Sequence, residues 1–131
     1  MDKLEVGSGG EDFWFWSRDQ EAIRLDCDPY DGVTKWVCPD RMPVEDNIIM
    51  DCYVGQFLIE CTIQDHMALA LELNRVMKTD GKIRIHCYDG TAGFKDFFER
   101  MKELGWTIIS EELVNKCDET ETFMVTLRRN R

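Results

Sequence analysis

Hydrophobic and polar positions follow two different periods along this chain, and the order of those periods predicts its elements. Lys3-Leu4-Glu5-Val6 reads as a short strand running straight into Gly7-Ser8-Gly9-Gly10. Ala22-Ile23-Arg24-Leu25 predicts a second strand, stopped by Asp26-Cys27-Asp28-Pro29, and Val33 to Val37 a third, ended by Pro39. Asn47 to Val54 is a nearly continuous apolar run, the pattern of a strand covered on both faces. Between Gln64 and Lys78, the residues Leu69, Leu73, Val76 and Met77 recur at i, i+4, i+7 and i+8, one stripe of an amphipathic helix. Thr79-Asp80-Gly81 ends that helix, glycine being the usual left-handed stop. Lys82 to Tyr88 alternates as a strand does, and Phe94, Phe97, Phe98, Met101 and Leu104 form the clearest helix, closed by Gly105. Trp106 to Leu113 and Thr122 to Arg128 flank a polar turn around Asn115 to Glu119 and read as an antiparallel pair.

Strands alternating with helices predict an α/β fold with a mostly parallel twisted sheet, closed by an antiparallel C-terminal strand pair. Ligands of such sheets bind at the carboxyl ends of the strands near the switch in strand order, which points to the turns after Val6, Leu25, Val37 and Tyr53. One segment resists both periods. Phe13-Trp14-Phe15-Trp16, within Glu11 to Gln20, reads as a short helix or irregular chain, and its aromatics as core filling or as an interface or lid. No repeat or linker divides the sequence, so residues 1–131 are expected to form one domain.

Composition narrows the picture. With 44% hydrophobic residues the chain is no disordered polymer, yet its apolar runs fall far short of the ~20 residues a membrane helix needs. Met1-Asp2-Lys3-Leu4-Glu5 lacks a basic start and an apolar stretch, so no secretory signal is expected and the chain is placed in the cytoplasm. Sixteen Lys+Arg against 26 Asp+Glu give a formal charge of −10, a surface that disfavours nucleic acid as partner. Arg128, Arg129 and Arg131 read as a solvated basic tail. The six cysteines show no CxxC pair or metal-like spacing and are expected to be reduced structural thiols, with no metal site.

The residues at the predicted strand ends form a series. Leu4-Glu5-Val6-Gly7-Ser8-Gly9 is an acidic residue, a hydrophobe and GxG; Ile23-Arg24-Leu25-Asp26 is a strand ending in a carboxylate. Met42-Pro43-Val44-Glu45-Asp46-Asn47, then Met50-Asp51, leads into the fourth strand, and Leu58-Ile59-Glu60 precedes Leu73-Asn74-Arg75-Val76-Met77-Lys78-Thr79-Asp80-Gly81. In this order and spacing the chain resembles the class I S-adenosylmethionine-dependent methyltransferases, in particular the small methyltransferase-type domains. The resemblance implies a Rossmann-like methyltransferase fold with an abbreviated N-terminal region, because the GxG strand begins almost at the first residue. It implies S-adenosylmethionine as cofactor and transfer of a methyl group to a small-molecule or protein acceptor by in-line displacement. The absence of a third glycine at Asp12 speaks against a dinucleotide fingerprint.

From the same resemblance come the expected cofactor residues Glu5, Gly7, Ser8, Gly9, Asp26, Cys38, Asp40 and Asp51. Asp26 can accept hydrogen bonds from a vicinal diol, such as the ribose hydroxyls, or can simply initiate a turn before Pro29. Glu5 would orient the first loop, either meeting the ammonium or bracing the loop with a hydrogen bond. The family places an acidic residue near adenine after the third strand; here that place falls on Cys38, with Asp40 two positions on. Displacement at carbon calls mainly for positioning, and a base only where the acceptor keeps its proton. Asp51 and Gln56, at the fourth strand and just beyond it, are the catalytic candidates. His86 reads as a core residue and His66 as exposed. The small size also leaves open a catalytically silent methyltransferase-like subunit, a homo-oligomer or a partner subunit completing the pocket, and another nucleotide-binding Rossmann-like enzyme.

Overall fold

Side-chain alternation sets the two faces of the sheet on which everything else is mounted. The computed structural model describes residues 1–55, 63–117 and 120–130, apart from the side chains at 63, 115–117 and 120. Its strands are β1 (Lys3–Val6), β2 (Ile23–Asp26), β3 (Thr34–Lys35), β4 (Ile49–Val54), β5 (Met77–Tyr88), β6 (Trp106–Cys117) and β7 (Thr120–Arg129). The helices are α1 (Ile63–Val76), α2 (Gly90–Gly93) and α3 (Lys95–Glu103), with a 3-10 turn over Glu11–Phe13. The strands join in one sheet of order β3-β2-β1-β4-β5-β7-β6. β1 pairs in parallel with β2 and β4, β2 with β3, and β4 with β5, while β7 runs antiparallel to both β5 and β6. The chain winds outward from β1 to β3 and then crosses to β4 on the other side of β1. In open α/β sheets such a reversal marks the ligand crevice, which places the candidate site here at the carboxyl ends of β1 and β4.

On one face Leu4, Val6, Leu25, Val54, Ile83, Ile85 and Leu127 are fully buried and meet Leu69, Leu73 and Val76 of α1 and Phe97 and Met101 of α3. Each such side chain contributes about 1.5–3 kcal/mol of burial, which explains why these two helices formed. The opposite, outer face carries Glu5, Arg24, Tyr53, Arg84, His86 and Thr126, aligned by the strand register. β4 is therefore helix-covered on one face only, contrary to the continuous apolar reading of its sequence. Across the outer face, Phe15 stacks on Tyr53 with ring centroids 4.4 Å apart, and the Arg84 guanidinium lies 4.5 Å from the Phe15 ring.

Several local expectations change. α1 stops at Val76 and β5 begins at once, with Ile49 opposite Met77 and Asp51 opposite Lys82, so extra residues bulge out on β5. Gly81 is no left-handed stop: it is needed because a Cβ there would lie 2.6 Å from the Met77 methyl and 2.9 Å from the Lys78 oxygen. Gly105 does close α3, at φ +97. His66 is 8% exposed, its ring edge-on to Phe94. Arg129 is half-buried and anchored, not a free basic tail; its guanidinium packs 4.8 Å from the Trp106 ring and donates to the Asn74 oxygen at 2.6 Å. Cys52 and Cys87 are buried thiols as expected, whereas Cys27 is exposed. Burial pushes the Cys87 thiol up to about 12 and the Cys52 thiol further still.

The loop between β3 and β4 is fastened to α1 by Arg75 together with Glu72, which accepts the Met42 amide at 2.5 Å. Arg75 donates to both Glu72 oxygens (2.8 and 3.1 Å), to Asp46 Oδ1 (2.7 Å) and to the carbonyls of Val44 (2.8 Å) and Met42 (3.1 Å). The same hydrogen bond from Arg75 holds the Asp46 carboxyl below its ordinary range. Replacing Arg75 by Met is expected to destabilise the fold by about 1.5–3 kcal/mol in urea denaturation, the range for hydrogen bonds to charged groups. An unchanged midpoint would contradict this role.

Candidate cofactor-binding site

The turn after β1 reverses within three residues, and its two left-handed positions are the glycines Gly7 (φ 69) and Gly9 (φ 65). Its amides fold back onto the end of β2. Gly7 N donates to the Leu25 oxygen at 2.9 Å, Ser8 N to the same oxygen at 3.4 Å, and Gly9 N to Asp26 Oδ2 at 2.8 Å. The other Asp26 oxygen accepts the Asp28 amide at 3.1 Å, the Asp-initiated turn that its sequence allows. Each carboxylate oxygen has a second lone pair beyond these bonds. Ser8 is 3% exposed and its hydroxyl donates to the Gly9 oxygen at 3.4 Å. Three successive amides of the loop are thus engaged by β2, so the loop lacks the outward N–H cradle that a phosphate needs.

β4 ends at Val54, and the next residue, Gly55, donates its amide to the Val6 oxygen at 2.8 Å. A Cβ on Gly55 would lie 2.8 Å from the Gly7 oxygen, so glycine at this position lets the loop carbonyl approach. Glu5 points to the outer face, is fully buried, and accepts the Trp16 amide on Oε1 at 2.8 Å, with Arg24 Nε 3.6 Å away. It braces the chain after the loop, one of the two roles its sequence position suggested. Burial pushes the Glu5 carboxyl up, against the opposing pull of the Trp16 and Phe15 amides and of Arg24.

The remaining expected residues are dispersed. Cys38 turns toward α1, its thiol donating to the Asp65 oxygen at 3.7 Å. Asp40 is exposed, and its backbone oxygen accepts the Trp36 indole N–H at 2.7 Å. Asp51 pairs with Lys3, at the start of β1, three positions before the carboxyl end of β4. Its carboxylate lies 3.8 Å from Lys82 and 3.7 Å from Arg84 on the outer face. The structure therefore groups Gly7, Ser8, Gly9 and Asp26 at the crevice, with Glu5 behind them, and does not bring Asp51 to it. Gln56 lies outside the described residues. Sequence reasoning gives Arg24 no role, although a charge inside the apolar β2 run, beside Glu5 on the neighbouring strand, signals a buried pair.

Two outcomes follow. Because the folded chain holds the Glu5 proton more tightly than the unfolded chain, the Glu5 contribution to stability is greatest at low pH. It falls as pH rises from the ordinary carboxyl range through the raised one. Glu5→Gln should remove that component from a stability series run from about pH 4 to about pH 8, and an identical slope in both proteins would exclude it. Gly55→Ala is expected to lower stability by about 1–3 kcal/mol through overpacking against Gly7, and a thermal melt matching wild type would contradict the close approach.

No family model and no curated protein sequence matches the chain. Solved structures do. The chain is similar to a TehB-like SAM-dependent methyltransferase from Corynebacterium glutamicum, with TM-score 0.70, 15% identity, and 98% of this chain and 80% of that one covered. The PH0226 protein from Pyrococcus horikoshii superposes with TM-score 0.73 at 13% identity, covering 98% and 82%. Geranyl diphosphate C-methyltransferase from Streptomyces coelicolor, solved with S-adenosyl-L-homocysteine, gives TM-score 0.66 at 9% identity, covering 98% and 71%. The [4+2]-cyclase SpnF has the same architecture, at TM-score 0.71, 12% identity and coverage of 98% and 75%. With its strand order, its antiparallel final pair and its glycine turn at the switch point, the chain has the class I methyltransferase fold.

Proposed function

We infer that the chain is an S-adenosylmethionine-dependent methyltransferase that transfers a methyl group to a small-molecule or protein acceptor. The observation that carries this reading is the direction of the glycine loop. Its amides are engaged by Leu25 and Asp26, while the Gly7 carbonyl faces the crevice wall at Gly55. A turn that presents the Gly7 carbonyl, with its amides turned away, suits a cationic ligand group, and S-adenosylmethionine carries both an ammonium and a sulfonium. Asp26, at the end of β2, retains acceptor capacity for a vicinal diol. The cofactor supplies an electrophilic methyl group on sulfur. Gly7 and Ser8 would hold its amino-acid end, Asp26 its ribose, and the crevice between β1 and β4 would orient the acceptor for an in-line approach. Geranyl diphosphate methyltransferase structures holding SAM or S-adenosyl-L-homocysteine, to which the chain is similar, support the same ligand class.

A second reading, a cofactor-binding subunit without transferase activity, is favoured by two placements. Cys38 turns toward α1 and Asp51 is drawn into outer-face ion pairs, so neither serves the crevice. Similarity to a [4+2]-cyclase also means that this fold does not itself dictate methyl transfer. Calorimetry separates the readings from a nucleotide-binding one: S-adenosylmethionine and S-adenosylhomocysteine are expected to bind and NAD is not. Asp26→Ala is expected to weaken cofactor binding by about 1–3 kcal/mol. Equal affinity in that variant would refute the ribose assignment, and transfer of a labelled methyl group into a cell extract distinguishes the active enzyme from the silent subunit.

A further inference from the structure

We propose that Arg24 is a positioning residue for the cofactor loop, acting through Trp14; this rests on the reading of the crevice given above. The connection from β1 to β2 contains one 3-10 turn and no α-helix, so side chains must hold the glycine loop in place. Arg24 is 7% exposed on the outer face, beside Glu5 in the strand register. Its guanidinium donates to the Trp16 oxygen at 2.8 Å and the Ser17 oxygen at 3.2 Å. Glu5 accepts the Trp16 amide, so the acid from β1 and the base from β2 grip both polar groups of one residue. Both bonds leave one nitrogen, Nη2, while the flat guanidinium lies over the Trp14 ring, a stacked contact that a Lys ammonium does not reproduce.

The same guanidinium lies 3.9 Å from the Trp14 ring centroid. The far edge of that ring sits against Gly32, where a Cβ would come within 2.9 Å. Thus seated, the Trp14 indole N–H donates to the Gly9 oxygen at 3.1 Å. Gly9 is then tied at both ends, its amide to Asp26 and its carbonyl to Trp14. Arg24 touches no part of the crevice, but it sets the ring that sets the loop. Its influence should reach the part of the cofactor that lies against Gly7 to Gly9, and not the part held by Asp26.

The test uses two ligands and two variants. S-adenosylhomocysteine spans the whole site, whereas 5′-methylthioadenosine lacks the amino-acid end that meets the loop. Calorimetry on folded Arg24→Lys and Trp14→Phe proteins is expected to give about tenfold weaker S-adenosylhomocysteine binding, the loss of one well-placed hydrogen bond. Binding of 5′-methylthioadenosine is expected to stay within about twofold of wild type. Trp14→Phe keeps a ring beside Arg24 but deletes the indole donor and the ring edge against Gly32, the two contacts that seat the loop, so it decides the matter if Arg24→Lys does not fold. Undiminished S-adenosylhomocysteine binding in Trp14→Phe, or equal losses for both ligands, would overturn the proposal. A wild-type chain that binds neither ligand would instead overturn the functional reading on which it rests.

Discussion

The loop after β1 is closed by the end of β2: the Leu25 carbonyl takes the amides of Gly7 and Ser8, and the Asp26 carboxylate takes that of Gly9. This backbone closure decides which groups of the loop face inward and which face the crevice. Without a side-chain-free residue at φ 69 and φ 65 the reversal would be strained. Without the carboxylate, the Gly9 amide would lose its partner. The functional proposal depends on the polarity that results, with amides turned back to the sheet and carbonyl oxygen turned toward β4.

A sheet with helices on one face has to solve a second problem on the other. Parallel strands are usually buried on both sides, and here α1 and α3 cover one face. Over β2, β1 and β4 the outer face is covered instead by Trp14, Phe15 and Trp16, fastened by the Glu5–Arg24 pair and by stacking on Tyr53. Farther along, β5 and β7 place Arg84, His86 and Thr126 on that face, the polar-outward alternation that tolerates water. Burial lowers the pKa of His86 there. The buried charges near the crevice thus organise an aromatic strap, in place of a helix, at the connection where the cofactor loop begins.

The sequence made the architecture legible because periodicity reports burial on one face. The stripe of Leu69, Leu73 and Val76 and the alternation from Lys82 to Tyr88 appear where expected. Met77 instead opens β5, and the final pair is longer than expected, β6 running through Cys117 and β7 starting at Thr120, into the stretch read as a polar turn. The glycine turn and Asp26 were readable too, since φ > 0 and a strand-end carboxylate restrict the choice of residue. What stayed hidden depends on tertiary contacts. Gly81 is set by a close approach to Lys78 and Met77 and not by a helix stop. Arg129 looks like a basic tail until Trp106 and Asn74 are seen beneath it. Cys38 and Asp51 are singled out by their order along the chain, but the Cys38 thiol meets the Asp65 oxygen and strand register sets Asp51 opposite Lys3, three positions before the end of β4. Arg24, a charge amid Ile23 and Leu25, gains meaning only when Glu5 is placed beside it.

The most direct measurement is an amide chemical-shift titration of the labelled chain with S-adenosylhomocysteine. The largest changes are expected at Gly7 to Gly10, at Asp26 to Asp28 and at Gly55, with the α1–α3 layer undisturbed. Saturable changes confined to α1 and α3, or no changes at all at millimolar ligand, would contradict a cofactor crevice at the switch point.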